Sequence, residues 1–589
     1  MKKLFLLLIL VFALAACSGE GEPEVWDWDS FGMPVQGGPM LHAFSWSFNT
    51  VAEYMPIIAE AGFTAVQVSP ITESVTRSWS APGDVSGMNL FGDGAWWFLY
   101  QPVSFRIGNY MLGTEEEFAN MTRVAKEHGV KIIVDAVINH MTAYSRLICR
   151  EFYNLEGGAI RPRMEMGPTR LQQTQGQLLG LWDINTHNPV VQQHILQFLQ
   201  RAVELGAAGF RYDAIFMIEL PTEDDPELAS DFWPVVLANG SEFQYGEILG
   251  VWEADIYVDW MPVTDAEYGR VLGAALRAGE LSAANLTHYR VHGTPCNLVT
   301  WVESHDTFGN YGETADLTAR QIMYGWAVIG SREGSTPLFF NRPMNSNPPG
   351  RVEKWGDNIA GARGNNDFFA PEVVAVNHFK NAMRGTAEYL SNPMPGRTDL
   401  LMIERGGSGA VIINMGAEAV FDGAPVNLVA DGVYIDTVSG GSFTVADGRL
   451  YGVVPDGAIV VFLYIIDDPI LANITEPIPP RLAPEVAPEA TITLRARVPA
   501  AWYPYAVWAW NYGMAPEATN AFDGWPGEFF TLSEDGWYIA QLPGWVNNII
   551  INGRDGTVQT AALATTPGRD VWISVNDAGV ATLSNVAVE

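Results

Sequence analysis

The sequence predicts an α/β protein built on a (β/α)8 TIM barrel, followed by two antiparallel β-sandwich domains. Three observations predict it. From about residue 37 to 390, short apolar runs alternate with helix-like runs. Acidic or polar residues close successive apolar runs, as they do at the mouth of a parallel barrel. Beyond residue 390 the apolar runs are short and separated by Gly and Asp, the pattern of antiparallel strands. A doubly wound sheet is the rival for the first region. The repeated polar residues after successive strands favour the barrel.

The barrel series begins at HAFSW, 42–46. A helical run over 50–60 leads to the strand TAVQVSP, 64–70, and a second over 115–128 leads to KIIVDAVINH, 131–140. A helix near 189–204 precedes AAGFRYDA at 207–214, and FQYGEIL, CNLVTWVES and STPLFFNR follow. The catalytic barrel spans 37–390. Residues 141–188 hold no clean strand–helix unit and read as a domain inserted between the third and fourth strands. Residues 391–466 carry TDLLMIERG, SGAVIINMG, GVYIDTVSG and GAIVVFLYI, an antiparallel β domain. The Pro-rich stretch 467–489 is a stiff linker. A final β-rich module occupies 490–589.

Composition narrows the function. The 589 residues are 48% hydrophobic and 17% charged, which suits a folded protein. Lys and Arg number 33 against 67 Asp and Glu, a net charge of −34. Nucleic-acid phosphates would be repelled by that surface, so the partner is a neutral, soluble molecule. At the N-terminus, Lys2 and Lys3 precede an apolar run over 4–16, then Cys17. The run is too short for an ordinary membrane span and has signal-peptide flanks. Leu14-Ala15-Ala16-Cys17 resembles the bacterial lipoprotein cleavage box. That resemblance implies cleavage before Cys17, lipid on its thiol, and a cell-surface location outside the cytoplasm. Residues 17–36 form an acidic tether. For Cys149 and Cys296, spacing leaves open a disulfide or two separate thiols.

Three acids carry the chemistry. Asp213 lies in GFRYDAIFM, Glu247 in FQYGEILG and Asp306 in WVESHDTFGN. Each ends or closely follows an apolar run. Retaining cleavage of a glycosidic bond needs two carboxyl groups across the anomeric carbon, one attacking and one protonating the leaving oxygen. Asp213 is the expected nucleophile. Arg211, two residues earlier on the strand, points the same way and can hold Asp213 ionised. Glu247 is the expected acid/base, with Tyr245 and Ile248 as apolar neighbours. Asp306 is expected to bind hydroxyls and stabilise the oxocarbenium-like charge. His140 and His305 suit hydroxyl hydrogen bonds. A lone Arg-x-Asp is usually a salt bridge, so the argument rests on the ordered set.

With these residues in place, the chain resembles bacterial α-amylases of glycoside hydrolase family 13. The likeness is carried by DAVINH at 135–140, GFRYDAIFM at 209–217, GEILG at 246–250 and VESHD at 302–306. LHAFSWSFNT at 41–50 and Tyr100-Gln101 add to it. It spans roughly 38–466. The resemblance implies Asp213 as nucleophile, Glu247 as acid/base and Asp306 as stabiliser. It also implies Arg211, His140, His305 and Tyr100 around the cleaved sugar, with Tyr100 stacked on its ring. One departure stands out: where many relatives carry Lys-His after the nucleophile, this chain has Phe216 and Met217. Phe216 would offer stacking on the leaving side instead of polar contacts.

The same resemblance implies Ca²⁺ held by Asn139, Asp183 and the Met217 carbonyl, a hard-oxygen set. No phosphate loop or thiolate-rich zinc site is expected. In the last module, AAWYPYAVWAWNYG at 500–513 and NNIIINGRDGTVQT at 547–560 resemble a family 26 starch-binding module. Tyr503, Trp508, Trp510, Trp525 and Gln559 are its candidate contacts. Trp508 and Trp510 share one strand face, which is either core or binding surface. The expected function is endo-hydrolysis of α-1,4-glucosidic bonds in starch, amylose and maltooligosaccharides by a monomer. The alternatives are an exo-acting or transglycosylating member, and a noncatalytic starch-binding surface protein.

Overall fold

The computed structural model describes residues 26–75, 96–310, 312–346, 359–463 and most of 491–584. The signal segment, Cys17, the Pro-rich linker and Trp525 lie outside the described residues. The chain divides into two units, Met1–Ile478 and Pro479–Glu589.

The first unit contains a closed eight-stranded parallel barrel. Its strands are β1 (Met40–Ala43), β2 (Ala65–Val68), β3 (Lys131–Ala136), β4 (Ala207–Tyr212), β5 (Phe243–Gly246), β6 (Val263–Thr264), β7 (Leu298–Trp301) and β8 (Thr336–Phe340). Neighbours in space are neighbours in sequence, and β8 closes on β1. A helix follows each strand: α1 (Phe48–Glu60), α2 (Glu115–Glu127), α3 (Pro189–Glu204), α4 (Phe232–Val236), α5 (Val251–Tyr257), α6 (Ala266–Ala278), α7 (Ala319–Ser331) and α8 (Pro371–Ala382).

Local chemistry sets several helix starts. Thr114 and Glu117 form a capping box on α2, and Thr318 and Gln321 do so on α7. Ser47 caps α1, and Asn188 caps α3 just before Pro189 at its first position. Most residues of the barrel strands are buried, so they read as continuous apolar runs rather than alternating ones.

Two excursions rise from the barrel. Between β2 and α2, strands Thr72–Ser74, Pro102–Asn109 and Gly113–Thr114 form a small sheet, and Tyr100 lies in the turn just before the second of them. Between β3 and α3, His140–Met141 pairs with Trp182–Asp183 around two short helices, Arg150–Tyr153 and Arg170–Gln175. Cys149 and Cys296 are free thiols.

After α8 comes an eight-stranded antiparallel sheet: β9 (Glu388–Ser391), β10 (Leu400–Arg405), β11 (Gly409–Asn414), β12 (Ala419–Pro425), β13 (Gly432–Asp436), β14 (Ser442–Ala446), β15 (Arg449–Val454) and β16 (Ile459–Leu463). Its order is β9-β10-β11-β16-β13-β14-β15-β12. Strands β10, β11 and β16 are buried on both faces. Leu401, Ile403, Val411 and Ile413 join the core of the barrel, while Leu400, Met402 and Ile412 face a second core inside the sheet. Double burial explains why these segments are uninterrupted apolar runs.

Among the described residues, the second unit is a two-sheet sandwich of five and six strands. Leu494, Val507, Ile549 and Ile573 pack between the sheets. Strand Tyr505–Asn511 turns Tyr505, Val507 and Ala509 to that core. Trp508 alternates with them and is only half-buried, so of its two expected environments the structure gives the outer face. Trp510 pairs in register with Asn520. Tyr503 is 71% exposed and meets Tyr505 edge to face, and Gln559 is exposed on a strand paired with Asn552.

Candidate active site

The expected acids converge at the C-terminal mouth of the barrel. Asp213 follows β4 directly, Glu247 follows β5 directly, and Asp306 begins a π-helical turn five residues after β7. Backbone bonds fix the first two. Asp213 N–H donates to Ala136 O, and Glu247 N–H donates to Tyr212 O. Each catalytic loop is therefore tied to the neighbouring strand.

Arg211 is the hub. It is buried, and its Nη1 donates to Asp213 Oδ1 and to Asp135 Oδ1, each at 2.7 Å. Its Nη2 lies 3.7 Å from Glu247 Oε2. One guanidinium thus faces three carboxyl groups. Ala214 supplies a further contact. Its N–H donates to Glu247 Oε2 at 3.0 Å, and the residue itself adopts a left-handed conformation, φ 49°, which is strained for a non-glycine residue.

Burial dominates the electrostatics. It pushes the Glu247 carboxyl up to about 7, against the pull of Arg211 and with help from the Asp213 and Asp306 charges. The Asp306 carboxyl is also raised by burial. Burial, with Arg211, lowers His305 to about 3, so His305 is a neutral ring. That ring lies between two others, stacked on Phe44 at 4.8 Å and on Tyr100 at 5.2 Å. His305 Nε2 is 3.6 Å from Asp306 Oδ2. His140 hydrogen-bonds the Tyr100 carbonyl through Nε2 at 3.1 Å. Tyr100, His140, Arg211 and His305 therefore stand together with the three acids. Phe216 sits on the turn Ile215–Met217, three residues past Asp213.

Sequence reasoning missed Asp135, although it lies in a quoted motif. Asp135 stands beside Arg211 in the strand register and accepts Tyr100 Oη at 2.7 Å. Burial raises it to about 6 while Arg211 opposes the shift. The available signal was an acid inside an otherwise apolar strand. His42, stacked edge to face on His305, was missed as well.

The calcium residues divide. Asn139 and Asp183 come together through the pairing of His140–Met141 with Trp182–Asp183. Asn139 Oδ1 and Asp183 Oδ2 are both buried and accept no hydrogen bond. Two such oxygens suit a hard cation. The guanidinium Nε of Arg161 lies 3.3 Å from the same Asp183 oxygen and competes for it. Met217 closes its own turn on Ala214. Among the described residues, no group of three or more His, Cys, Asp or Glu side chains converges to hold a metal.

A closed (β/α)8 barrel with carboxyls at the ends of adjacent strands is a setting for glycoside hydrolysis. Comparison with known proteins agrees. The model of the α-amylase catalytic domain family matches residues 47–151. An α-amylase of Butyrivibrio fibrisolvens is 38% identical over 472 residues, covering 72% of this chain and 47% of that protein. One of Clostridium acetobutylicum is 34% identical over 455 residues, covering 72% and 54%. A mutant of α-amylase I from Eisenia fetida, solved in complex with maltohexaose, shares the fold. It has a TM-score of 0.58 at 19% identity, over 74% of this chain and 99% of that one. The barrel region is similar to bacterial α-amylase catalytic domains. The chain spans about half the length of the curated relatives it matches.

Proposed function

We propose that the chain is an endo-acting α-amylase that hydrolyses α-1,4-glucosidic bonds of starch-type glucans with retention. The observation that carries this is the Arg211 hub, which faces Asp213 and Glu247 at once. In the first step Asp213 attacks the anomeric carbon while the raised Glu247 carboxyl protonates the leaving oxygen. In the second, Glu247 carboxylate takes a proton from water, whose oxygen attacks the same carbon and releases Asp213. Asp306, with His305 beside it, is suited to the ring hydroxyls and the developing positive charge. The test is a time course on maltooligosaccharides blocked at the non-reducing end, which only internal cleavage opens, and on soluble amylose. Early fragments of mixed length support endo-cleavage. A single short product from the outset moves the reading to an exo-acting enzyme.

Three finer readings accompany it. Calcium would be held by Asn139 Oδ1, Asp183 Oδ2 and the Met217 carbonyl, and would tie the inserted segment to the barrel. Asn139 Oδ1, buried without a hydrogen-bond partner, supports it, and loss of thermal stability on chelation tests it. The second unit is proposed as a family 26 starch-binding module, supported by exposed Tyr503 and Gln559 on a β-sandwich. Tethering would raise the local concentration of glucan chains. Tyr503→Ala in the full chain should weaken retention on an amylose column. The third is anchoring of a monomer at the cell surface through lipid on Cys17, supported by the cleavage-box sequence. Mass spectrometry of the expressed protein tests it.

A further inference from the structure

The first described residues meet the barrel at its floor. Trp26 and Trp28 stack with ring centroids 5.5 Å apart, and Phe31 meets Trp26 edge to face at 6.2 Å. Trp26 Nε1 donates to the carbonyl of Glu204 at 3.0 Å, and Trp28 Nε1 donates to that of Gly240 at 3.3 Å. Glu204 ends α3 just before β4, and Gly240 lies between α4 and β5. Lys126, in the last turn of α2, places its Nζ 4.6 Å from the centre of the Trp26 ring. All three partners sit where helices end and strands begin, which is the N-terminal face of the barrel.

That face is shaped for the indole. A Cβ on Gly206 would stand 2.4 Å from the Trp26 ring, and Gly206 has φ 99°, so close approach and backbone both call for glycine. Two indole N–H bonds, ring stacking and a cation over the ring make a fixed attachment.

Asp213 and Glu247 stand at the opposite ends of the same two strands. Strand β4 has six residues, so about 20 Å of strand separates the Trp26 attachment from the nucleophile. Cys17 lies nine residues before Trp26. At about 3.5 Å per residue, such a tether reaches about 30 Å at most. A path from the floor to the mouth must clear a helix about 10–12 Å across and then climb the strand, which consumes the whole reach.

We propose that the N-terminal face of the barrel is the surface turned to the lipid bilayer, and that the Trp26–Trp28 clasp holds the catalytic mouth toward the medium. This rests on the proposed lipid on Cys17. The clasp fixes where the tether ends, and the short reach keeps the bilayer on that side. Glucan chains then approach the mouth from the open side.

The experiment uses the full lipid-bearing chain in phosphatidylcholine vesicles that carry an energy-transfer acceptor on their headgroups. Cys296 is exposed two residues before β7 and reports the floor. Asn154→Cys reports the inserted segment, which leaves the barrel from the C-terminal end of β3. Each site carries the donor dye with the other free thiols changed to Ser. Transfer from Cys296 should be at least about twofold stronger, because the length of the strand adds about 20 Å at the mouth. Equal transfer, or stronger transfer from Asn154→Cys, overturns the proposal. The double variant Trp26→Ala/Trp28→Ala lengthens the free tether and should cut that difference by about half or more. Its turnover of soluble amylose should not change, because both indoles lie on the far face. A difference that survives intact in this variant overturns the role of the clasp. Protein that does not float with the vesicles overturns the lipid reading itself, an outcome read before any dye.

Discussion

Two buried arginines stand close to the barrel mouth and do opposite things. Arg342 meets Glu303 in a bidentate pair, Nε to Oε1 at 2.7 Å and Nη2 to Oε2 at 2.8 Å. Two further N–H groups go to the carbonyls of Leu317 and Thr314. Each charge there has one full partner, and the pair is sealed from water. Arg211 instead faces Asp135, Asp213 and Glu247. Burial pushes Glu247 up to about 7 even beside that guanidinium, and the nearby Asp213 and Asp306 charges add to the rise. A matched pair gives rigidity, while an overcommitted one gives a general acid beside a nucleophile.

The largest expected effect comes from breaking the overcommitted cluster at its nucleophile. Asp213→Asn should lower kcat on amylose by about 10⁴-fold or more, as for other nucleophile deletions. Binding of the substrate analogue acarbose, measured by calorimetry, should persist. Next comes the matched pair. Glu303→Gln leaves Arg342 buried without its counter-charge, a cost of about 3–5 kcal/mol. The thermal transition of the first unit should fall by several degrees. If the contrast holds, the pH dependence of the surviving activity stays where it was. A variant that keeps its melting temperature would show that the pair is not what braces this loop.

The pH profile is the third test. Glu247 must be protonated to act first as an acid. Its raised value means that this form is abundant below about pH 7 and is lost above it. The kcat/KM on amylose should therefore fall about tenfold per unit as pH rises beyond that point. A profile flat to high pH would show that another group protonates the leaving oxygen.

The part of this contrast that was legible in sequence follows from physics. Asp213, Glu247 and Asp306 were visible because each breaks or follows an apolar run. Seven barrel strands were visible for the same reason. The one left, β6, is two residues long and meets β5 at one register pair, Gly246 with Val263. So short a strand carries no periodic signal. Asp135 was hidden because its role depends on lateral register with Arg211 across strands far apart in sequence. Trp508 was ambiguous because alternation separates two faces without saying which one the opposing sheet covers.

The smallest effect tests whether the cluster is one shared network. Tyr100 Oη donates to Asp135 and favours its charged form. Tyr100→Phe removes that donor while keeping the ring stacked on His305. Asp135 then holds its proton more readily and makes less claim on Arg211. The freed guanidinium charge acts more strongly on Glu247, whose value should move down toward that of an ordinary carboxyl. The activity loss should stay below about tenfold, the scale of one hydrogen bond. The alkaline limb of kcat/KM should shift to lower pH, because the acid form of Glu247 is lost sooner. A loss of rate with the limb unmoved would mean that Asp135 and Glu247 do not compete for Arg211, and that the hub is two separate pairs on one side chain.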